Sequence, residues 1–318
     1  MFIAIKKNKN YKVKVINNIE EFEIEKSVVT VGTFDGLHRG HQKIINTLIN
    51  AAKQRALPSV VFTFWPHPRF VLGKADGLEL LNTIEEKAVL LEKLGVDYLV
   101  SVEFNKDFAN QTSYEFVKNV LVAKLNVNHL VLGYDHHFGK NREGRFDKLQ
   151  TCGQEFGFSV EQVSALKGIG ENISSTKIRN LLKAGNIPKA NNYLGYNYFI
   201  SGEVVHGDKI GRKIGFPTAN ISVPDFKLKP ANGVYAVFAE VEGKKYKAMT
   251  NIGRKPTFKN DASLSIETHI FDFAEELYGK KISISFLEKI RDEITFDSSN
   301  QLAEQLKKDR EDAVRLLE

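Results

Sequence analysis

The sequence predicts an α/β chain in which a parallel sheet covered by helices is followed by a small closed antiparallel β-barrel and a C-terminal helix. Three observations predict it. The length of 318 residues suits two domains. Through the first half, short β-branched runs alternate with helical patterns, as βαβ units require. Beyond Tyr198 the hydrophobic period switches to two, with Gly, Pro and Asn between the runs.

The strands expected in the first half are Ser27–Phe34, Ser59–Phe64, Asp97–Val102, His129–Gly133 and Phe158–Val163, several apolar enough for burial on both faces. Helices fit between them, carried by Ile44, Ile45, Leu48, Ile49 and Ala52, by Ala88, Leu91 and Leu94, and by Phe116, Val117, Val120 and Leu121. Thr83 with Glu86 resembles a capping box, and Gly95 suits a helix C-terminus. Two short helical stretches, Thr176–Ala184 and Pro188–Leu194, form a linker that divides the chain into domains 1–187 and 188–318. Strands follow at Phe199–Val205, Gly233–Val241, Lys244–Asn251, Leu264–Phe271 and Lys281–Ile290, and Ser298–Leu317 reads as one amphipathic helix. Met1–Lys14 reads as a solvated or strand-extending segment.

With 42% hydrophobic and 26% charged residues and no apolar run near the ~20 residues a bilayer needs, the chain reads as globular, with no membrane partner. Met1–Ile5 is too short an apolar stretch before Lys6 and Lys7 for a signal peptide, so no export is expected. The single cysteine, Cys152, excludes an internal disulfide and a Cys-rich zinc site and fits a reducing cytoplasm. A net charge of +6 allows either nucleic acid or anionic small molecules as partners. Its distribution favours the latter. Residues 204–259 hold 11 Lys and Arg against 4 Asp and Glu, while residues 260–318 hold 8 against 14, so the second half joins a cationic stretch to an acidic one. No GxxxxGK[ST] loop and no GxGxxG occurs.

Val31-Gly-Thr-Phe-Asp-Gly-Leu-His-Arg-Gly-His41 runs from a strand through a Gly-rich turn into a helix. Gly32, Gly36 and Gly40 let backbone approach a phosphate, and the helix N-terminus turns its free N–H groups toward it. His38 and His41, three apart, can face the same way and hydrogen-bond phosphoryl oxygens. A structural histidine pair is the alternative; a two-His metal site lacks a nearby third ligand. Pro66-His67-Pro68 closes a strand at the carboxyl edge of the sheet, where α/β folds bind ligands. Ser174, Ser175 and Thr176 start a helix with Arg179 one turn along, which suits a triphosphate or, more plainly, a cap.

In the second half, Gly207, Gly211 and Gly215 alternate with Lys209, Arg212 and Lys213 in a cationic loop, which is either a phosphate cover or an exposed hairpin tip. Thr218 and Asn220, two apart on an extended segment, present two neutral oxygens to one side, a donor set for Mg²⁺ shared with phosphate. On the strand Leu264–Phe271, Leu264, Ile266 and Ile270 share one face, leaving Ser265, Glu267 and His269 on the other.

GxFDGxHxGH is the signature of the HxGH nucleotidyltransferases, and with Thr63-Phe-Trp-Pro-His-Pro-Arg69, Gly133–Gly144 and Ile173-Ser-Ser-Thr-Lys-Ile-Arg179 the first half resembles the adenylyltransferase half of bacterial bifunctional riboflavin kinase/FAD synthetases. Gly202–Asn220, Gly233-Val-Tyr-Ala236, Asn251–Phe258, Ile266-Glu-Thr-His269, Leu277-Tyr-Gly-Lys280 and Arg291–Phe296 resemble, in order, the kinase half of the same enzymes. Trp65 stands where relatives commonly carry an acidic residue.

The resemblance implies a six-stranded barrel of riboflavin kinase type and two ATP-dependent reactions: riboflavin to FMN in the second domain, and FMN to FAD plus pyrophosphate in the first. It implies ATP contacts in the adenylyltransferase from Gly32, Phe34, Asp35, Gly36, His38, His41, Ser175, Thr176 and Arg179, and FMN contacts from His67, Asp135 and Phe138. In the kinase it implies ATP contacts from Gly207, Lys213, Thr218 and Asn220, Mg²⁺ on Thr218 and Asn220, and Glu267 as the base. Arg291 would help shape the flavin pocket, its plainer role being an ion pair with Asp292 or Glu293. Riboflavin, FMN, FAD and ATP are then the small-molecule partners, with no nucleic acid and no obligate protein partner. Two other functions compete. One keeps the HxGH domain with a different nucleotide acceptor and makes the barrel a binding module. The other is RNA binding through Lys244–Lys259, against which the sequence lacks an aromatic-basic RNP pattern.

Overall fold

The computed structural model describes residues 12–134, 139, 144–165, 173–207, 210–254 and 264–318. The chain forms two compact units, one running to Leu78 and resuming over Ile84–Ile173, the other made of Glu79–Thr83 and Ser174–Glu318.

In the first unit, β1 (Lys14–Ile16), β2 (Ser27–Val31), β3 (Ser59–Trp65), β4 (Tyr98–Glu103), β5 (Val127–Gly133) and β6 (Ser159–Val163) form one sheet in the order β1-β4-β3-β2-β5-β6. Every pairing is parallel. Central β2, with the sequence SVVTV, is buried along its whole length, as a strand covered on both faces must be. Helix α1 (Arg39–Arg55) buries Ile45, Leu48, Ile49 and Ala52 of the expected stripe together with Ala51, while Ile44 is half-buried. Short α2 (Pro68–Val71) and α3 (Ile84–Leu94) follow, and Gly95 ends α3 with φ 91°, where a left-handed residue belongs.

The differences from the sequence reading are local. The strand expected over Ser27–Phe34 stops at Val31, because Phe34 takes φ 45° at the start of the turn. β1 adds an edge strand by pairing Lys14 with Tyr98. After α4 (Lys106–Asn110), α5 (Ser113–Phe116) starts on a Thr112/Glu115 capping box and widens into π-type winding over Val117–Val122, with Val117, Val120 and Leu121 still buried. Helix α6 (Phe146–Phe156) buries only Leu149 and Gly153, too few positions to announce itself by periodicity.

The first helices of the second unit are α7 (Ser175–Lys183) and α8 (Ile187–Leu194). Its barrel is built from β7 (Phe199–Val205), β8 (Ala219–Ser222), β9 (Gly233–Val241), β10 (Lys244–Arg254), β11 (Leu264–Ile270) and β12 (Lys281–Arg291), with α9 (Ile210–Lys213) between β7 and β8. It closes in the order β10-β11-β8-β7-β12-β9, every contact antiparallel. Helix α10 (Ser299–Leu316), capped by Ser298, packs on it through Ala313 and Leu317.

Lys227 is fully buried in this unit. Its ammonium donates to the carbonyls of Leu81 at 2.6 Å and Phe199 at 3.0 Å and lies 4.5 Å from the Tyr198 ring centre. Leu80 pairs beside it, donating to Phe226 and accepting from Leu228. Replacing Lys227 with Met leaves two buried carbonyls without a charged donor. We expect a loss of about 2–4 kcal/mol in the unfolding of this unit, measured by denaturant titration. An unchanged midpoint would show the ammonium to be dispensable.

Candidate active sites

The turn after β2 delivers two stacked imidazoles. A Cβ at Gly32 would press on the Phe34 ring at 3.0 Å, and Gly36 carries φ 82°. His38 is the N-cap of α1, its Nδ1 accepting from the His41 backbone N–H at 3.4 Å. An acceptor at Nδ1 leaves the proton on Nε2. A Cβ at Gly40 would press on the His38 ring at 3.2 Å. The rings of His38 and His41 stack 3.7 Å apart at 16°, and Phe34 meets His41 edge-on.

His38, Phe34 and Asp35 are buried. Burial, then the neighbouring His38, then Lys87 hold His41 well below the ordinary histidine range, so it is neutral at pH 7. Among the described residues its Nδ1 is buried without a hydrogen-bond partner, a state expected of a group whose partner arrives with a ligand. The turn, the helix N-terminus, neutral His41 and the His38 imidazole make an arrangement that can bind an anion.

His67 caps α2, its Nδ1 accepting from Arg69 N–H. Asp135 and Phe138 lie outside the described residues. Ser175, Thr176 and Arg179 fall on α7, in the second compact unit. Ser174 caps that helix by accepting from Lys177 N–H, and Arg179 Nε donates to the Glu79 carbonyl at 2.7 Å.

In the barrel, register brings the second set together. Asn220 on β8 pairs with Val205 on one side and Glu267 on the other, and Glu267 pairs again with Asn251 of β10. Gly207 lies against Asn220 so closely that a Cβ would sit 2.2 Å from its Nδ2. Gly211 likewise meets the Phe216 carbonyl at 2.2 Å. Only glycine lets this loop lie on the Pro217–Asn220 segment. Two residues beyond Glu267, His269 Nδ1 donates to the Pro217 carbonyl at 2.8 Å and pins the same segment.

Thr218 lines a cavity of about 280 Å³ with Val204, Arg212, Thr268, Leu277 and Tyr278. At its rim Tyr278 and His206 have ring centres 3.9 Å apart. Lys209 lies outside the described residues, as does the side chain of Lys213. Among the described residues no group of three His, Cys, Asp or Glu could hold a metal. The neutral oxygens of Thr218 and Asn220 still fit Mg²⁺, because that ion keeps substrate phosphate and water as its other ligands.

Arg291 pairs with neither acidic side chain beside it. It forms a two-point bond with the fully buried Asp309 of α10, at 2.8 and 2.7 Å, and donates to the Asp292 backbone carbonyl, while the Asp292 carboxylate bonds Lys289. Sequence reasoning missed Asp309 and Lys87. Both are charged residues on an apolar helical stripe, Asp309 four before Ala313 and Lys87 three and four before Leu90 and Leu91, and that conflict was the available signal.

Two family models match the chain in series, one described as FAD synthetase over residues 20–177 and one described as riboflavin kinase over residues 194–317. The bifunctional riboflavin kinase/FMN adenylyltransferase of Bacillus subtilis is 41% identical over 296 residues, covering 92% of this chain and 93% of its own. The Escherichia coli K12 protein of the same name is 38% identical over 300 residues, covering 93% and 95%. A solved structure from Streptococcus pneumoniae described as a macrolide-efflux protein is 35% identical, covering 94% of this chain and 97% of its own at a TM-score of 0.83. Among the described residues no helix is long and apolar enough to cross a membrane. Two matches in this order, over a glycine turn with paired histidines and a barrel that sets a glutamate beside an asparagine, place the chain in the bifunctional riboflavin kinase/FMN adenylyltransferase family.

Proposed function

We propose that each compact unit supplies the core of one step in flavin cofactor synthesis. The chain phosphorylates riboflavin with ATP to FMN and adenylylates FMN with a second ATP to FAD, releasing pyrophosphate. We set the working division at residue 187, a position supported by family matches that end at 177 and resume at 194. The observation that carries the assignment is the register of Glu267 beside Asn220 in the barrel, because only one of the two reactions needs a base.

In the adenylylation the nucleophile is the FMN phosphate, already anionic. The protein's work is positioning and charge neutralisation. His38 and His41 donate to the oxygens around the α-phosphate and the departing pyrophosphate, and the turn through Gly32, Phe34, Asp35 and Gly36 holds the triphosphate at the start of α1. Ser175, Thr176 and Arg179 add donors to the triphosphate, and His67, Asp135 and Phe138 contact FMN.

In the phosphorylation the nucleophile is a neutral ribityl hydroxyl. Glu267 accepts its proton as the hydroxyl attacks the γ-phosphate. Gly207 and Lys213 belong to the loop over the phosphates, and Arg291, held by Asp309, helps to shape the flavin pocket. Thr218 and Asn220 would hold Mg²⁺, which when bound neutralises charge on the transferring phosphoryl group. We place both steps in the cytoplasm, a reading that the single cysteine supports, with small molecules as the only required partners.

Incubation of the purified protein with riboflavin, Mg²⁺ and ATP, resolved by chromatography over time, tests this directly. FMN should rise first and FAD should follow, and FMN supplied with ATP should give FAD without riboflavin. FMN that accumulates unconverted would refute the first-unit assignment, and riboflavin left unchanged would refute the second.

A further inference from the structure

We infer that Lys87 is a positioning residue for FMN adenylylation, holding the turn that carries the histidine pair and placing a fixed positive charge behind it. This rests on the adenylylation assigned to the first unit.

Lys87 sits on α3 and is only 6% exposed. Its ammonium donates to the Thr33 carbonyl at 2.7 Å and to Thr63 Oγ1 at 3.4 Å. Thr33 follows β2 directly, and Thr63 lies near the carboxyl end of β3, the neighbouring strand. One side chain from a helix therefore ties together the carboxyl ends of the two strands that launch the site. The next residue along is Phe34, with φ 45°, then buried Asp35, then Gly36 with φ 82°. A backbone so far from extended geometry needs an outside anchor, and the Thr33 carbonyl is where this one is applied.

Packing alone does not explain a lysine here. Burying an ammonium against neutral oxygens is costly, and a Met of similar length would fill the same space. Burial lowers the Lys87 pKa to about 8, with Asp35 opposing the fall. The residue thus stays largely charged at pH 7, and its charge bears on His41. The titratable groups acting on His41 are His38 from the turn and Lys87 from α3, with Asp35 acting in turn on Lys87. A cation beside His41 disfavours its protonation and so keeps that imidazole a neutral donor. It also faces a site where anionic charge builds on phosphate, so it is organised before substrate arrives.

The test compares wild type, Lys87→Met and Lys87→Arg. It measures FMN adenylylation as kcat and KM over pH, the His41 titration by NMR, and riboflavin phosphorylation in the same molecules as a control. Lys87→Met should lower adenylylation kcat about 100-fold, with a smaller change in the KM for ATP, and leave riboflavin phosphorylation intact. The His41 midpoint should rise in Lys87→Met, where a depressing charge is gone, and stay low in Lys87→Arg, which should recover part of kcat. If Lys87→Met does not fold, the alkaline limb decides. Wild-type kcat should fall as pH rises through about 8, and that limb should move upward in Lys87→Arg. An unchanged kcat and His41 midpoint in folded Lys87→Met would overturn the inference, as would an alkaline limb that Lys87→Arg leaves in place. Wild-type protein that makes no FAD from FMN at any pH would overturn the adenylylation reading itself, and this inference with it, before any variant is compared.

Discussion

Glu267→Gln should lower the rate of riboflavin phosphorylation by about 10²–10⁴-fold while FMN adenylylation proceeds at the wild-type rate. The substitution keeps the size of the side chain and its place on β11, so the pairings with Asn220 and Asn251 survive. His269 still pins the Pro217 carbonyl, and the glycines of the loop still lie on the Pro217–Asn220 segment. What is lost is a carboxylate able to take a proton from a neutral hydroxyl. The effect should therefore appear in kcat rather than in the KM for ATP. Initial rates started from riboflavin and, separately, from FMN measure the two steps in one preparation. Retention of the kinase rate, or loss of both activities, would remove Glu267 from the role of base.

The converse lesion is His41→Asn, for which FMN adenylylation should fall about 10²–10³-fold with riboflavin phosphorylation unaffected. The imidazole stacks on His38 and, among the described residues, carries a buried nitrogen with no hydrogen-bond partner, so bound substrate can complete its bonding. Asparagine can still donate a hydrogen bond but cannot reproduce the stacked ring. The same residue predicts a pH dependence of stability. Its folded pKa is depressed below the ordinary 6.5, so below that pH the unfolded chain binds the extra proton first. The contribution is fully present above 6.5 and is lost as pH falls from there toward the folded value. Denaturant midpoints of the first unit should decline over that range in wild type and decline less in His41→Asn. Equal slopes would show that other groups set the acid limb.

The histidine turn was readable because most of what shapes it is local. Gly32 and Gly40 lie against side chains of the same ten residues, Gly36 supplies a positive φ between them, and His38 caps the helix that carries His41. Glu267 was readable as to its strand face, since alternation fixes which side chains share a face, but not as to its neighbours. Pairing with Asn220 is a property of barrel closure, and β8, at four residues, is too short for its period to show. Lys87 and Asp309 were hidden for another reason. Each bonds a group far along the chain, Lys87 to a residue 54 positions away and Asp309 to one 18 away. Helical periodicity treats such a residue as an interruption of the apolar stripe, and only the tertiary partner explains why it is tolerated.

Residues 79–83 have a meaning for how this chain can be taken apart. They precede α3 in the sequence yet belong to the same compact unit as the barrel, where Leu80 bonds the main chain around Lys227 and the Leu81 carbonyl receives its ammonium. The second unit is thus written in two instalments, with Ile84–Ile173 between them. No single scission of the polypeptide can release that unit whole. A fragment beginning at residue 188 leaves Lys227 without the Leu81 acceptor, and a fragment ending at 187 carries Leu80 and Leu81 without the main chain and ammonium around residue 227 that bond them. Although the two chemistries read as separate modules along the sequence, the boundary between them in space is not a point on the chain.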